Sequence, residues 1–161
     1  MIPGLSIDTL LTVHVAVSLA GIATGLVAMA ALAAGRWLPR WQGAFLASTA
    51  LTSITGFLFP FSGVTPAFLF GVVSVVLLAI AVAALPGRAG HRGVVIAYVL
   101  SAALALYLNL VVLVVQSFQK LPALQPLAPT QSEPPFLIAQ LVILVGTLTI
   151  VWFAIRSRRM A

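Results

Sequence analysis

An all-helical bundle embedded in a membrane is the fold class this sequence predicts, and three observations predict it. The 161 residues are 62% hydrophobic and only 6% charged, with a mean hydropathy of +1.21, too little polar surface to cover a water-soluble domain. The apolar residues gather into five runs, each close to the roughly 20 residues that a bilayer core requires. Seven of the eight basic residues, Arg36, Arg40, Arg88, Arg92, Arg156, Arg158 and Arg159, fall in the gaps that five spans would place on one side, and Lys120 alone falls on the other. Lys and Arg accumulate in cytoplasmic loops, so this bias predicts five transmembrane helices with the N-terminus outside and the C-terminus in the cytoplasm.

The first run, about 9–34, is long enough to cross with some tilt. It is preceded by Asp8 rather than by Lys or Arg, which argues against a cleaved signal peptide. The linker from Gly35 to Trp41 combines glycine, proline, two arginines and two tryptophans and reads as an interfacial turn. The second run, about 43–61, ends in the aromatic stretch Phe57-Leu58-Phe59-Pro60-Phe61, and the third, 66–85, opens with Pro66 where a first helical turn tolerates it. Pro86, Gly87 and Gly90 then stop that helix in a short basic loop, and the fourth run extends over about 94–117. Prolines 122, 126, 129, 134 and 135 predict an extended outer loop over 118–135, before a fifth run at 136–155. The whole chain reads as a single transmembrane domain.

The net charge of +6 does not point to nucleic acid, because the arginines punctuate membrane exits instead of lining one folded face. Anchoring to anionic headgroups accounts for them. The absence of cysteine removes disulfides, thiolate metal sites, iron–sulfur clusters and cysteine nucleophiles together.

Within the first helix, His14, Ser18, Gly21 and Gly25 share one face, and Gly21 to Gly25 is a small-xxx-small motif. Lipid supplies no hydrophobic drive for helix association, so close backbone contact at such residues does that work, within one chain or between two copies. Ser48, Thr52, Thr55 and Gly56 of the second helix offer a matching face. On the fourth helix Asn109 and Gln116 lead toward the outer surface with Tyr107 beside them, and an amide in hydrocarbon must face protein or water. Gln140 of the fifth helix stands at a depth similar to His14 and Gln116, below Thr130 to Glu133 of the loop. His14, Tyr107, Asn109, Gln116, Gln140 and Glu133 are therefore the candidate ligand-binding residues, at the level of the outer leaflet. Interhelical hydrogen bonding is the competing account of each.

Catalytic templates fail. The acids, Asp8 and Glu133, both lie at the outer boundary, so an intramembrane proton relay has no carboxylate. A zinc site would have His14, Asp8 and Glu133 at most, and His14 and His91 fall at opposite faces, so they cannot share a haem, although His14 alone remains a haem ligand candidate. His91, beside Arg92 in a short loop, is expected to be solvated or to cap a helix.

The stretches Thr52-Ser53-Ile54-Thr55-Gly56-Phe57-Leu58-Phe59-Pro60-Phe61, Leu106 to Gln116 and Ala128-Pro129-Thr130-Gln131-Ser132-Glu133-Pro134-Pro135-Phe136 resemble segments of a group of small bacterial, mostly proteobacterial, multi-pass inner-membrane proteins of unknown function. The resemblance implies a bacterial inner-membrane location and brings no activity, cofactor or catalytic residue with it.

Two functions follow as expectations. The first is an accessory or structural subunit that packs against another membrane protein or against a second copy of itself. The second is a binding protein whose outer-leaflet polar pocket takes a small or lipid-like molecule such as a quinone or haem.

Overall fold

A computed structural model describes residues 6–60, 63–87 and 91–157, with only the backbone of Ala67; Arg88, Arg158 and Arg159 lie outside the described residues. Five α-helices and one short 3-10 turn make up its regular structure, and no strand occurs among the described residues. The helices are α1 (Ile7–Ala33), α2 (Pro39–Phe57), α3 (Pro66–Ala84), α4 (Arg92–Lys120) and α5 (Pro134–Arg156).

Local chemistry sets the ends. Ser6 caps α1 by accepting from the Thr9 amide, and Asp8 lies in its first turn, where a negative charge suits the helix dipole. At the other end Gly35, at φ 71°, donates to Leu32 O while Arg36 donates to Ala31 O, a Schellman closure that needs the left-handed conformation glycine accepts freely. Prolines 39, 66 and 134 each occupy a first turn, where a missing N–H costs nothing. This corrects the expected start of α2: the Pro39-Arg40-Trp41 segment is its first turn, so the helix begins four residues earlier than position 43 and also ends earlier. Helix α4 runs a turn beyond the expected 94–117 because nothing opposes it before Leu121-Pro122.

Each helix packs on the next in sequence around a ring, α5 returns to α1, and α1 also touches α4 across the interior. The main core joins Met29 and Leu32 at the end of α1, Phe45 near the start of α2, Ala81 late in α3, Tyr98 and Ala102 early in α4 and Ala154 late in α5. Successive helices therefore run up and down, and the ends that carry Arg36, Arg40, Arg92 and Arg156 converge. Ser157 Oγ donates to Leu32 O at 2.9 Å and ties the last helix to the first there.

At the opposite end, the segment expected to be an open loop is partly folded. It turns through a 3-10 helix at Gln125–Leu127 and buries Ala128 against Phe118 and Phe136, whose rings meet edge to face at 5.5 Å. Gln131 takes a left-handed φ of 60° and its Nε2 donates to Val115 O at 3.0 Å, pinning the loop to α4.

Length and composition qualify three of the five helices, α1, α4 and α5, as membrane spans; Phe68–Ala84 of α3 is a shorter apolar helix. Helix α2 falls short because Arg40, Gln42, Ser48, Thr49, Thr52, Ser53 and Thr55 crowd its 19 residues. Large apolar side chains are exposed on every helix, as a lipid environment demands: Leu19, Ile54, Val76, Leu100 and Leu141 are examples.

Candidate functional site

The close contact between α1 and α2 is built on glycine. A Cβ at Gly21 would meet Ser48 Cβ at 3.4 Å, which is ordinary contact, whereas at Gly25 it would lie 2.7 Å from the Phe45 ring and 2.9 Å from Leu106 Cδ1. The small-xxx-small motif thus serves packing inside this chain, with Gly25 as its tightest point.

One end of this seam holds His14. Its Nδ1 lies 2.9 Å from Thr55 Oγ1, its ring stands edge-on to Phe59 at 5.5 Å, and Gly56 leaves room beside its Cε1. Thr55 Oγ1 also lies 2.8 Å from Leu51 O and 3.1 Å from Thr52 O, which can only accept, so its single proton is committed to them. The hydroxyl therefore accepts from His14 Nδ1–H, an assignment made from the network, and Nε2 is left as an acceptor. Ser18 Oγ donates to His14 O in the same seam.

The other candidates have separate surroundings. Gln116 is exposed and Tyr107 and Gln140 are partly buried, and none of the three makes a hydrogen bond among the described residues. Glu133 accepts from Thr130 Oγ1 at 2.8 Å and from the Thr130 and Ser132 amides at 3.1 Å each, holding the loop closed. Burial alone would raise its carboxyl, but these hydrogen bonds outweigh burial and hold it below the usual glutamate value. No hydrogen bond joins His14 to Gln116, Gln140 or Glu133 among the described residues, and no group of three His, Asp or Glu side chains converges there. His91 is exposed and precedes α4 without a side-chain cap bond.

Sequence reasoning missed a buried pair near the arginine-bearing end. Gln42 is 1% exposed; its Nε2 donates to Ala28 O at 3.0 Å and its Oε1 accepts from Tyr98 Oη at 2.6 Å, with the Trp37 ring tilted 60° against Tyr98 at 5.3 Å between centroids. The signal was the spacing of Gln42, Thr49 and Ser53, which share the inner face of α2 with Phe45 and Leu46.

One feature with room for a small apolar group is a groove between α1, α4 and α5. It has a volume of about 160 Å³ and is lined by Leu26 and Met29, by Ala103, Leu106 and Leu110, and by Ile143, Gly146, Thr147 and Ile150. Its one hydroxyl, Thr147 Oγ1, donates to Ile143 O at 2.8 Å and so commits its proton to its own helix. A Cβ at Gly146 would meet nothing within 4 Å. Gln140 stands on the same face of α5 as Ile143, Thr147 and Ile150, one turn nearer the loop, so an amide marks the loop-side end of an apolar slot. An engineered apolar cavity of roughly 150 Å³ binds benzene, which sets the scale of what such a slot holds.

No protein-family model, curated protein or solved structure matches this chain.

Proposed function

We propose that this chain is a five-span protein of a bacterial inner membrane, with its arginine-bearing end in the cytoplasm, and that it holds a lipid-like amphiphile in the α1/α4/α5 groove. The observation that carries the binding reading is the groove itself: apolar along its length, with Gly146 open beside it and Gln140 at its loop-side end. A prenyl or acyl tail suits the slot and a carbonyl- or hydroxyl-bearing head, as in a quinone, suits an amide, which both donates and accepts. Crossing by all five helices is supported by length, since the 19 residues of α2 and of α3 extend about 28 Å each, close to the roughly 30 Å hydrocarbon thickness. Orientation and compartment rest on the arginine bias and on the resemblance of the chain to bacterial inner-membrane proteins.

The test is native mass spectrometry and solvent extraction of the protein purified in mild detergent. Wild type should carry a stoichiometric amphiphile that Gly146→Leu, which fills open space, removes and Gln140→Leu weakens. A wild-type protein free of any extractable amphiphile would sink the reading.

A second reading, an accessory subunit packed against another membrane protein, draws on α5. Only Phe136 and Ala154 of that helix are buried, and an open glycine at Gly146 permits close approach by a further helix. Photo-crosslinkers at Leu141 and Leu148 separate the two, since a protein adduct favours the subunit and lipid adducts alone favour the binding protein.

A further inference from the structure

Among the described residues, eight hydroxyls on the helices donate to the carbonyl four residues back, including Ser53 and Thr55 of α2. Thr49 and Thr52, on the same helix, do not. Their Oγ1 atoms are buried without a hydrogen-bond partner, and so is Nδ2 of Asn109 on α4. Thr49 is 0% exposed.

Helical register sets Thr49 and Asn109 at one height in the bundle, with Thr52 just under one turn nearer the loop. Phe45 of α2 and Leu106 of α4 both press on Gly25 of α1 and so stand at one height. One helical turn toward the loop end brings α2 to Thr49, α4 to Asn109 and α1 to Gly21, whose Cβ position lies 3.6 Å from Thr49 Oγ1. Thr52 follows on the same face of α2. The α4 stripe that includes Asn109 also contains Tyr98, which bonds to Gln42 of α2, so that stripe faces α2. Where the two helices face each other here, the side chains on α4 are small, Ala102 and Ala105.

We infer that this layer is an internal hydration site, an ordered water held between α1, α2 and α4 by Thr49, Thr52 and Asn109. Buried polar groups in a membrane interior are satisfied by protein or by water, and protein supplies no partner for these three among the described residues. A buried water needs two to four polar partners, and three are present. Water accepts from Asn109 Nδ2–H and donates to a threonine hydroxyl, which a cation cannot do, and no carboxylate among the described residues lies in the layer to hold a cation. Thr52 stands one turn from Thr55, so the hydrated layer abuts the hydroxyl that accepts from His14.

The experiment is water-to-methyl nuclear Overhauser spectroscopy on the full chain, threonine-methyl-labelled, in detergent micelles. The Thr49 and Thr52 methyls should show cross-peaks at the water frequency several-fold stronger than those of Thr147 and Thr149, whose own hydroxyls control for exchange relay. Thr49→Val, nearly isosteric, should cut the Thr52 cross-peak at least twofold and lower the melting temperature, because water loses a partner. Cross-peaks at Thr49 and Thr52 no stronger than the controls would overturn the site. So would a Thr49→Val melting temperature equal to or above that of wild type, the result expected of a hydroxyl that has no partner to lose. The wild-type spectrum decides even if the variant does not fold.

Discussion

Adding one methyl group to α1 at two positions a turn apart should have opposite effects. At Gly21 a Cβ meets its nearest neighbour at 3.4 Å and fits; at Gly25 it is driven to 2.7 and 2.8 Å from the Phe45 ring and 2.9 Å from Leu106 Cδ1. Phe45 is 0% exposed and Leu106 2%, so neither has free space to move into. Replacing a helical glycine by alanine gains up to about 1 kcal/mol in backbone terms at either site, and overpacking costs about 1–3 kcal/mol at Gly25 alone. Gly21→Ala should therefore equal or exceed wild type while Gly25→Ala falls about 1–3 kcal/mol below Gly21→Ala. For a chain of this size each kcal/mol shifts the melting temperature by about 2–4 °C, so the two variants should separate by roughly 2–12 °C. Circular dichroism melts in one detergent, or denaturation by titrated SDS, read the difference. Equal stability of the two variants would refute the reasoning, because then the Phe45 and Leu106 contacts at Gly25 are not tight.

Tyr98→Phe should cost about 1–3 kcal/mol, because Gln42 Oε1 is left buried without this donor; adding Gln42→Leu should cost less than the two single losses combined, measured as a double-mutant cycle. Glu133 is held below the usual glutamate value, so the stability it lends the loop is present above that value, about 4.3, and is lost only as pH falls through the lower folded value. Amide exchange at Thr130 and Ser132 should accordingly stay protected at mildly acidic pH and open below it, and Glu133→Gln should remove that transition. Alkaline phosphatase fused within 118–135 should be active and at Ala161 inactive; the reverse pattern would invert the proposed orientation.

The helices were legible because apolar runs, prolines and glycines act locally: Pro66 and the Gly35 closure set ends that composition alone marks. The α2 start was misjudged because proline was read as a breaker at position 39, where it occupies the first turn. The folded loop was illegible because Gln131 and Glu133 depend on bonds to Val115 and Thr130, partners that no periodicity reveals. The candidate polar set was chosen by depth, and depth carries no azimuth. His14 turns toward α2 and Gln140 stands on the face that lines the groove, although the sequence assigns both a similar depth. The Gln42 and Tyr98 pair escaped because an amide beside Trp41 and Arg40 reads as interfacial, and only the stripe it shares with Thr49 and Ser53 points inward.

The bond from Ser157 to Leu32 spans 125 residues of sequence and joins α5 to α1. The groove has one wall from α5, so it does not exist until that helix docks, and docking closes the longest loop in the chain, an event that belongs late in assembly. If the groove holds the proposed amphiphile, its capture and the docking of α5 are one equilibrium. An occupant at a hundred times its dissociation constant would hold α5 in place by about 2.7 kcal/mol, so a cell short of that amphiphile would carry copies whose α5 lies loose in the bilayer, open to a membrane protease. On that proposal, abundance of the protein would follow the supply of the amphiphile.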